Sequence, residues 1–126
     1  MKKNSKFVYL ISPKKIESNF FYNDLINIFK SKKVFYFQLR LKNEKQKKII
    51  VVGKKIKKIC KRFNVKLIIN DSPLLAKKIG ADGCHLGQSD YSVGYARNIL
   101  KKKIIGVTCH NSKKLIKKAI MDRPNY

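Results

Sequence analysis

The sequence predicts a parallel α/β fold, and three observations carry that expectation. β-rich apolar runs alternate with helix-spaced patterns five times along the 126 residues. Hydrophobic residues make up 44% of the chain despite a formal charge of +24, which is too apolar for a disordered basic tail. No apolar stretch approaches the ~20 residues of a bilayer span. A single domain over residues 1–126 is expected at this length.

Residues 7–12 form the first strand, stopped by Pro13, which cannot donate to a sheet ladder. Residues 20–30 have helical spacing, with Leu25, Ile28 and Phe29 on one side. The second strand covers residues 34–40. Residues 44–63 form a long amphipathic helix in which Ile49, Val52, Ile56, Ile59, Cys60 and Phe63 recur at steps of three and four. The third strand is residues 66–70. Ser72 and Pro73 then supply an N-cap and a first-turn proline for a short helix that stops at Gly80. Residues 83–87 make the fourth strand and residues 92–101 the fourth helix. Residues 103–108 make the fifth strand, after which Asn111 or Ser112 caps a fifth helix that fades near Met121.

Such alternation implies a parallel sheet, either open and doubly wound or closed into a barrel. The strand starts at 7, 34, 66, 83 and 103 lie about 24 residues apart, so eight such units need about 190 residues. A barrel architecture therefore implies an incomplete one. An open five-stranded sheet is expected to expose an unpaired edge and apolar helix faces.

Lys and Arg number 31 against 7 Asp and Glu, and only Arg40, Arg62, Arg97 and Arg123 are arginines. A lysine-dominated chain binds polyanions loosely at low salt, but bidentate phosphate and base recognition favours arginine. Specific nucleic-acid binding is not expected. Lys54, Lys55, Lys57, Lys58 and Lys61 fall on the polar face of the long helix and read as solvated. The Met-Lys-Lys start runs on through Asn4, Ser5 and Lys6 without a small-residue cleavage site and does not read as a signal peptide. Cys60, Cys84 and Cys109 are an odd number in apolar segments, expected to be reduced core thiols of a cytoplasmic protein.

The unusual polar residues fall at the carboxyl ends of the strands. Tyr36, Gln38, Arg40 and Lys42 alternate with Phe35, Phe37, Leu39 and Leu41, so the period of two sends the polar set to one face. Two cations and an amide there call for an anion. Asp71 and Asp90, two of seven acidic residues, each follow a strand. Paired carboxylates beside cations fit a hard divalent ion, Mg²⁺ best, with a phosphate-bearing substrate completing its shell. The bland alternative is that each aspartate caps the helix after it. Gly106, Thr108 and His110 share a face of the fifth strand: the glycine admits a close approach, the threonine offers a hydroxyl, and the histidine either shuttles a proton or hydrogen-bonds within the site. Cys84-His85 and Cys109-His110 form a formally valid zinc set, but neighbouring strand residues point to opposite faces, which argues against it.

Gln38-Leu-Arg40-Leu-Lys42, Ile69-Asn70-Asp71, the run from Ala81 through His85 to Gln88-Ser-Asp90, and Ile105-Gly-Val-Thr-Cys-His110 together resemble the thiamine-phosphate synthase family. The likeness extends from about Tyr9 to Tyr126. It implies a (β/α)₈ TIM barrel of which this chain holds the N-terminal five units, and a transferase of thiamine biosynthesis. That enzyme couples a hydroxymethylpyrimidine diphosphate to a thiazole phosphate, releasing pyrophosphate and giving thiamine phosphate.

By the resemblance, Gln38, Arg40, Lys42 and Asn70 contact the pyrimidine diphosphate, with Arg40 and Lys42 stabilising the departing charge. Asp71 and Asp90 hold Mg²⁺, and Thr108 stands where the family commonly has a serine. No side chain acts as a nucleophile. Ser72 departs from the arginine usual after Asn-Asp, and the later phosphate loops belong to units beyond the fifth. A fragment is expected, with small-molecule substrates and no membrane or specific nucleic-acid partner. Self-association of two chains to complete a barrel is the one protein partnership compatible with a fragment. The rivals are the related thiazole tautomerase and, from another class, a basic RNA-binding protein or non-catalytic remnant.

Overall fold

The structure, a computed structural model, describes residues 6–87 and 91–126. Five β/α units follow one another: β1 (Val8–Ile11), α1 (Phe20–Phe29), β2 (Val34–Leu39), α2 (Gln46–Arg62), β3 (Lys66–Asn70), α3 (Pro73–Ile79), β4 (Gly83–Leu86), α4 (Val93–Leu100), β5 (Ile104–Val107) and α5 (Lys113–Asp122). The strands pair in the order β1-β2-β3-β4-β5, every pair parallel. A doubly wound sheet reverses its strand order at a switch point, and this one does not. The singly wound order is that of an arc of a TIM barrel, so the choice left open by periodicity falls to the barrel.

Local signals set the element ends. The Ser72 hydroxyl accepts the Leu75 N–H at 3.1 Å ahead of Pro73, and Gly80 closes α3 with a left-handed φ of 75°. Ser92 and Ser112 cap α4 and α5 in the same way, each accepting from the N–H three residues on. Helix caps of this kind contribute about 1 kcal/mol each. Ser72, not Asp71, therefore occupies the cap position of α3, and Ser92 occupies that of α4.

The core lies between the sheet and its helices. Phe37, Leu39, Leu67, Ile69, Cys84, Leu86 and Ile105 point from the strands onto Leu25, Phe29, Val52, Ile56, Cys60, Ala76, Ile79, Ala96 and Leu100. Helix α2 packs on α3, α3 on α4 and α4 on α5. Close packing is visible at Gly83, where a Cβ would collide with the Ile104 carbonyl of the neighbouring strand. Asp82 ties the strand starts together, its backbone N–H donating to Leu67 O and its carboxylate accepting the Leu67 N–H, both at 2.8 Å.

The flanks of the arc are apolar and open. Phe20 on α1 is 77% exposed and Met121 on α5 is 81% exposed, joined by Val8, Ile11 and Ile120. The expected unpaired edge beyond β5 is in fact partly covered: the Asn125 N–H donates to Ile105 O at 2.7 Å and the Val107 N–H to Tyr126 O at 3.0 Å. Among the described residues no helix is long and apolar enough to cross a membrane.

Candidate functional site

The parallel register brings the polar ends of the strands onto one surface. Ile11 lies opposite Gln38, Gln38 opposite Ile68, Asn70 opposite His85, and His85 opposite Gly106. Period-two alternation then turns Tyr9, Gln38, Asn70, His85 and Thr108 away from the helices. They line a cleft of about 690 Å³ together with Ile11, Arg40, Lys42, Asp71, Gly87, His110 and Tyr126. Gln38, Arg40, Lys42, Asn70, Asp71, Thr108 and His110, singled out in the sequence, therefore share one cavity. Asp90, with Gln88 and Ser89, lies outside the described residues.

Electrostatics differ across this surface. Lys42 Nζ stands 3.5 Å from Asp71 Oδ2, both side chains being 41% exposed at the mouth. Arg40, half-buried beside them, is anchored through its backbone, whose N–H donates to Ser12 Oγ at 2.9 Å. Its guanidinium makes no ion pair among the described residues. Asp71 and His110 both adopt left-handed backbone, with φ of 69° and 48°. Such a conformation is uncommon outside glycine and costs energy, and here it places both residues on the turns that border the cleft.

The floor is a hydrogen-bonded layer that sequence reasoning passed over. Gln38 is 3% exposed, and its Nε2 donates to the Tyr9 hydroxyl at 3.0 Å. The Tyr9 and Tyr126 hydroxyls bond to each other. His85 Nδ1 lies 3.3 Å from the Tyr126 hydroxyl and Nε2 lies 2.7 Å from Thr108 Oγ1. The Tyr126 ring stacks on His85 and meets Tyr9 edge-on, in the space left by Gly106. Burial pushes its phenol well above the ordinary value of 10.

Tyr126 reaches this place through Arg97. The Arg97 guanidinium donates to Lys101 O at 2.9 Å, Lys103 O at 2.7 Å, Arg123 O at 3.3 Å and Asn125 Oδ1 at 3.0 Å. Asn125 Oδ1 also accepts the Ile105 N–H at 2.9 Å, which lays the last residues along β5. The alternation that picks out Gln38 and Arg40 also puts His85 on the cleft face, opposite to Cys84. Cys84 is buried on the helix side, and no cluster of three His, Cys, Asp or Glu suited to a metal occurs among the described residues. Cys60 is buried as expected, whereas Cys109 is only half-buried and lines a second, smaller cavity beside α4 and α5.

Comparison with known proteins gives the family. Residues 8–126 match the thiamine monophosphate synthase family. The chain belongs to that family. It is 61% identical to the thiamine-phosphate synthase of Pelagibacter ubique over 98% of this chain and 59% of that protein. Against the thiamine-phosphate synthase of Clostridium perfringens it is 35% identical over 91% of this chain and 56% of that protein. A thiamine phosphate pyrophosphorylase from Pyrococcus furiosus superposes with a TM-score of 0.81 at 20% identity, covering 98% of this chain and 59% of that one. That likeness shows the fold. The chain thus spans roughly three fifths of these relatives' length.

Proposed function

We propose that the chain carries the diphosphate-binding part of a thiamine-phosphate synthase active site, a cytoplasmic transferase that acts on two small-molecule phosphates. In this reading residues 1–126 are the N-terminal portion of the barrel, and units beyond the fifth complete the thiazole phosphate site. The observation that carries the reading is the Arg40 guanidinium, held in a cleft with Lys42 and lacking a protein carboxylate among the described residues. A guanidinium so placed matches the oxygens of a diphosphate in a bidentate way.

The reaction breaks the bond between the pyrimidine methylene carbon and the diphosphate oxygen. The electron pair leaves with pyrophosphate, and the thiazole nitrogen supplies the pair for the new C–N bond. Arg40 and Lys42 stabilise the charge that develops on the leaving group, where fixed cations act without reorganising. Gln38, Asn70, Thr108 and His110 orient the substrate, and no nucleophilic side chain is required. The described residues fit Mg²⁺ in part: the Asp71 carboxylate is half-exposed at the mouth, and the amide of Asn70 adds a hard oxygen donor. Asp71 and Asp90 would hold the ion through one or two carboxylates, the usual protein contribution to a magnesium-phosphate site. When bound, the ion neutralises phosphate oxygens.

Lysines distributed over α2, α3 and α5 support a solvated surface more than a single nucleic-acid face. The test is an assay with both substrates and Mg²⁺ on the purified chain, read by mass spectrometry for thiamine phosphate and by calorimetry for binding of the pyrimidine diphosphate. Binding or turnover that disappears in Arg40→Ala supports the reading. A folded chain that neither binds the diphosphate nor forms product overturns it.

A further inference from the structure

We infer that the cleft floor is a one-way hydrogen-bond chain, running from Gln38 through Tyr9, Tyr126 and His85 to Thr108, which fixes His85 as the neutral Nε2–H tautomer and leaves the Thr108 hydroxyl proton for an anionic oxygen in the cleft. The direction follows from the donor inventory of the side chains. Gln38 Nε2 can only donate, so the Tyr9 oxygen accepts from it. Tyr9 must then send its own proton on, and its other partner among the described residues is the Tyr126 hydroxyl. Tyr126, having accepted, donates to His85 Nδ1 at 3.3 Å.

An imidazole that accepts at Nδ1 carries its proton on Nε2. Nε2 lies 2.7 Å from Thr108 Oγ1, so the hydroxyl oxygen accepts there. The Thr108 proton has no place in the chain and remains available on a cleft-lining residue. Reversing the amide of Gln38 would reverse every link: His85 would be protonated on Nδ1, and the Thr108 proton would be consumed by Nε2. The two directions therefore predict opposite tautomers of one ring. Gln38, buried beneath the cleft, acts here as a positioning residue through three intermediates.

This inference rests on the diphosphate reading for the identity of the anion, but its decisive measurement needs no ligand. The chain has 2 histidines, so a long-range ¹H–¹⁵N correlation spectrum of the whole labelled protein, with His110→Gln for assignment, reads the His85 ring directly. At pH 7.5 the Nε2–H tautomer is expected. The Nδ1–H tautomer, an imidazolium or an even mixture overturns the inference.

Tyr126→Phe keeps the ring in place and removes the donor, so it should shift His85 toward a mixture of tautomers. An unchanged tautomer in that variant also overturns the chain. The second readout is titration with inorganic pyrophosphate. Thr108→Val should weaken binding about tenfold and Thr108→Ser should preserve it. Tyr126→Phe should weaken binding in the wild-type background and have no further effect in Thr108→Val. An equal Tyr126→Phe effect in both backgrounds would overturn the coupling. The expected tautomer in a chain that ignores pyrophosphate would sink the proposed function and leave the hydrogen-bond direction standing.

Discussion

Lys42 Nζ and Asp71 Oδ2 face each other at 3.5 Å across the cleft mouth, one from the loop after β2 and one from the turn after β3. Both side chains are well exposed, and pairs of that kind contribute about 0–1 kcal/mol to stability. On the proposed reading, an incoming diphosphate would take over Lys42 and Asp71 would be released to hold Mg²⁺. Asp71→Asn should accordingly leave the melting temperature nearly unchanged. In titrations with pyrophosphate it should remove the enhancement caused by Mg²⁺ while retaining metal-free binding. Metal-dependent binding that survives in Asp71→Asn would assign the metal to other residues.

Tyr126 occupies the space above Gly106, and a Cβ at that position would collide with its ring. Gly106→Ala should therefore expel the Tyr126 side chain or push β5 aside. Overpacking of this sort costs about 1–3 kcal/mol. Chemical denaturation should show that loss, and iodination should show Tyr126 more reactive than in the wild type. A variant as stable as the wild type with Tyr126 still protected would mean that the ring does not depend on this space.

Much of this arrangement was legible in the sequence, and the exceptions have physical reasons. Ser72, Pro73 and Gly80 fixed both ends of α3 because their signals are local. The strict alternation from Phe35 to Lys42 separated the cleft face from the core face without any tertiary information. Periodicity alone did not give the strand order, since alternating elements serve an open sheet and a barrel equally well; the family resemblance implied the barrel, and parallel pairing in sequential order agrees with it. Tyr126 was missed because it belongs to none of the strands or helices. It reaches the cleft through a left-handed turn at Arg123 and through the Arg97 clamp, both long-range outcomes of folding. Asp82 shows the converse. An acidic residue after a helix invites a functional role, yet its carboxylate is spent on the Leu67 backbone.

Burial pushes the Cys60 and Cys84 thiols up from 9.0 to about 12. A neighbouring Asp82 adds to the effect at Cys60, and Arg97 opposes it at Cys84. A folded-state value above the unfolded one means that the native chain holds these protons more tightly. The corresponding stability is fully present below pH 9 and is lost as pH rises toward 12. Thiol labelling of the native chain near pH 8 should modify Cys109 first and leave Cys60 and Cys84 protected until unfolding. Thermal melts should fall progressively across the alkaline range. Rapid labelling of all three cysteines in the folded protein would contradict the packing described for β4 and α2.

The central claim is that the cleft exists to hold a diphosphate, with Arg40 as its principal cation. The most direct test is calorimetric titration of the 126-residue chain with pyrophosphate in the presence of Mg²⁺, alongside Arg40→Ala. Arg40 has no ion-pair partner among the described residues, so the variant should melt within about 0.5 kcal/mol of the wild type. Its affinity should fall at least about tenfold, the loss of one charge-assisted hydrogen-bonded contact. Equal affinity in the two proteins, with both folded, would contradict the account.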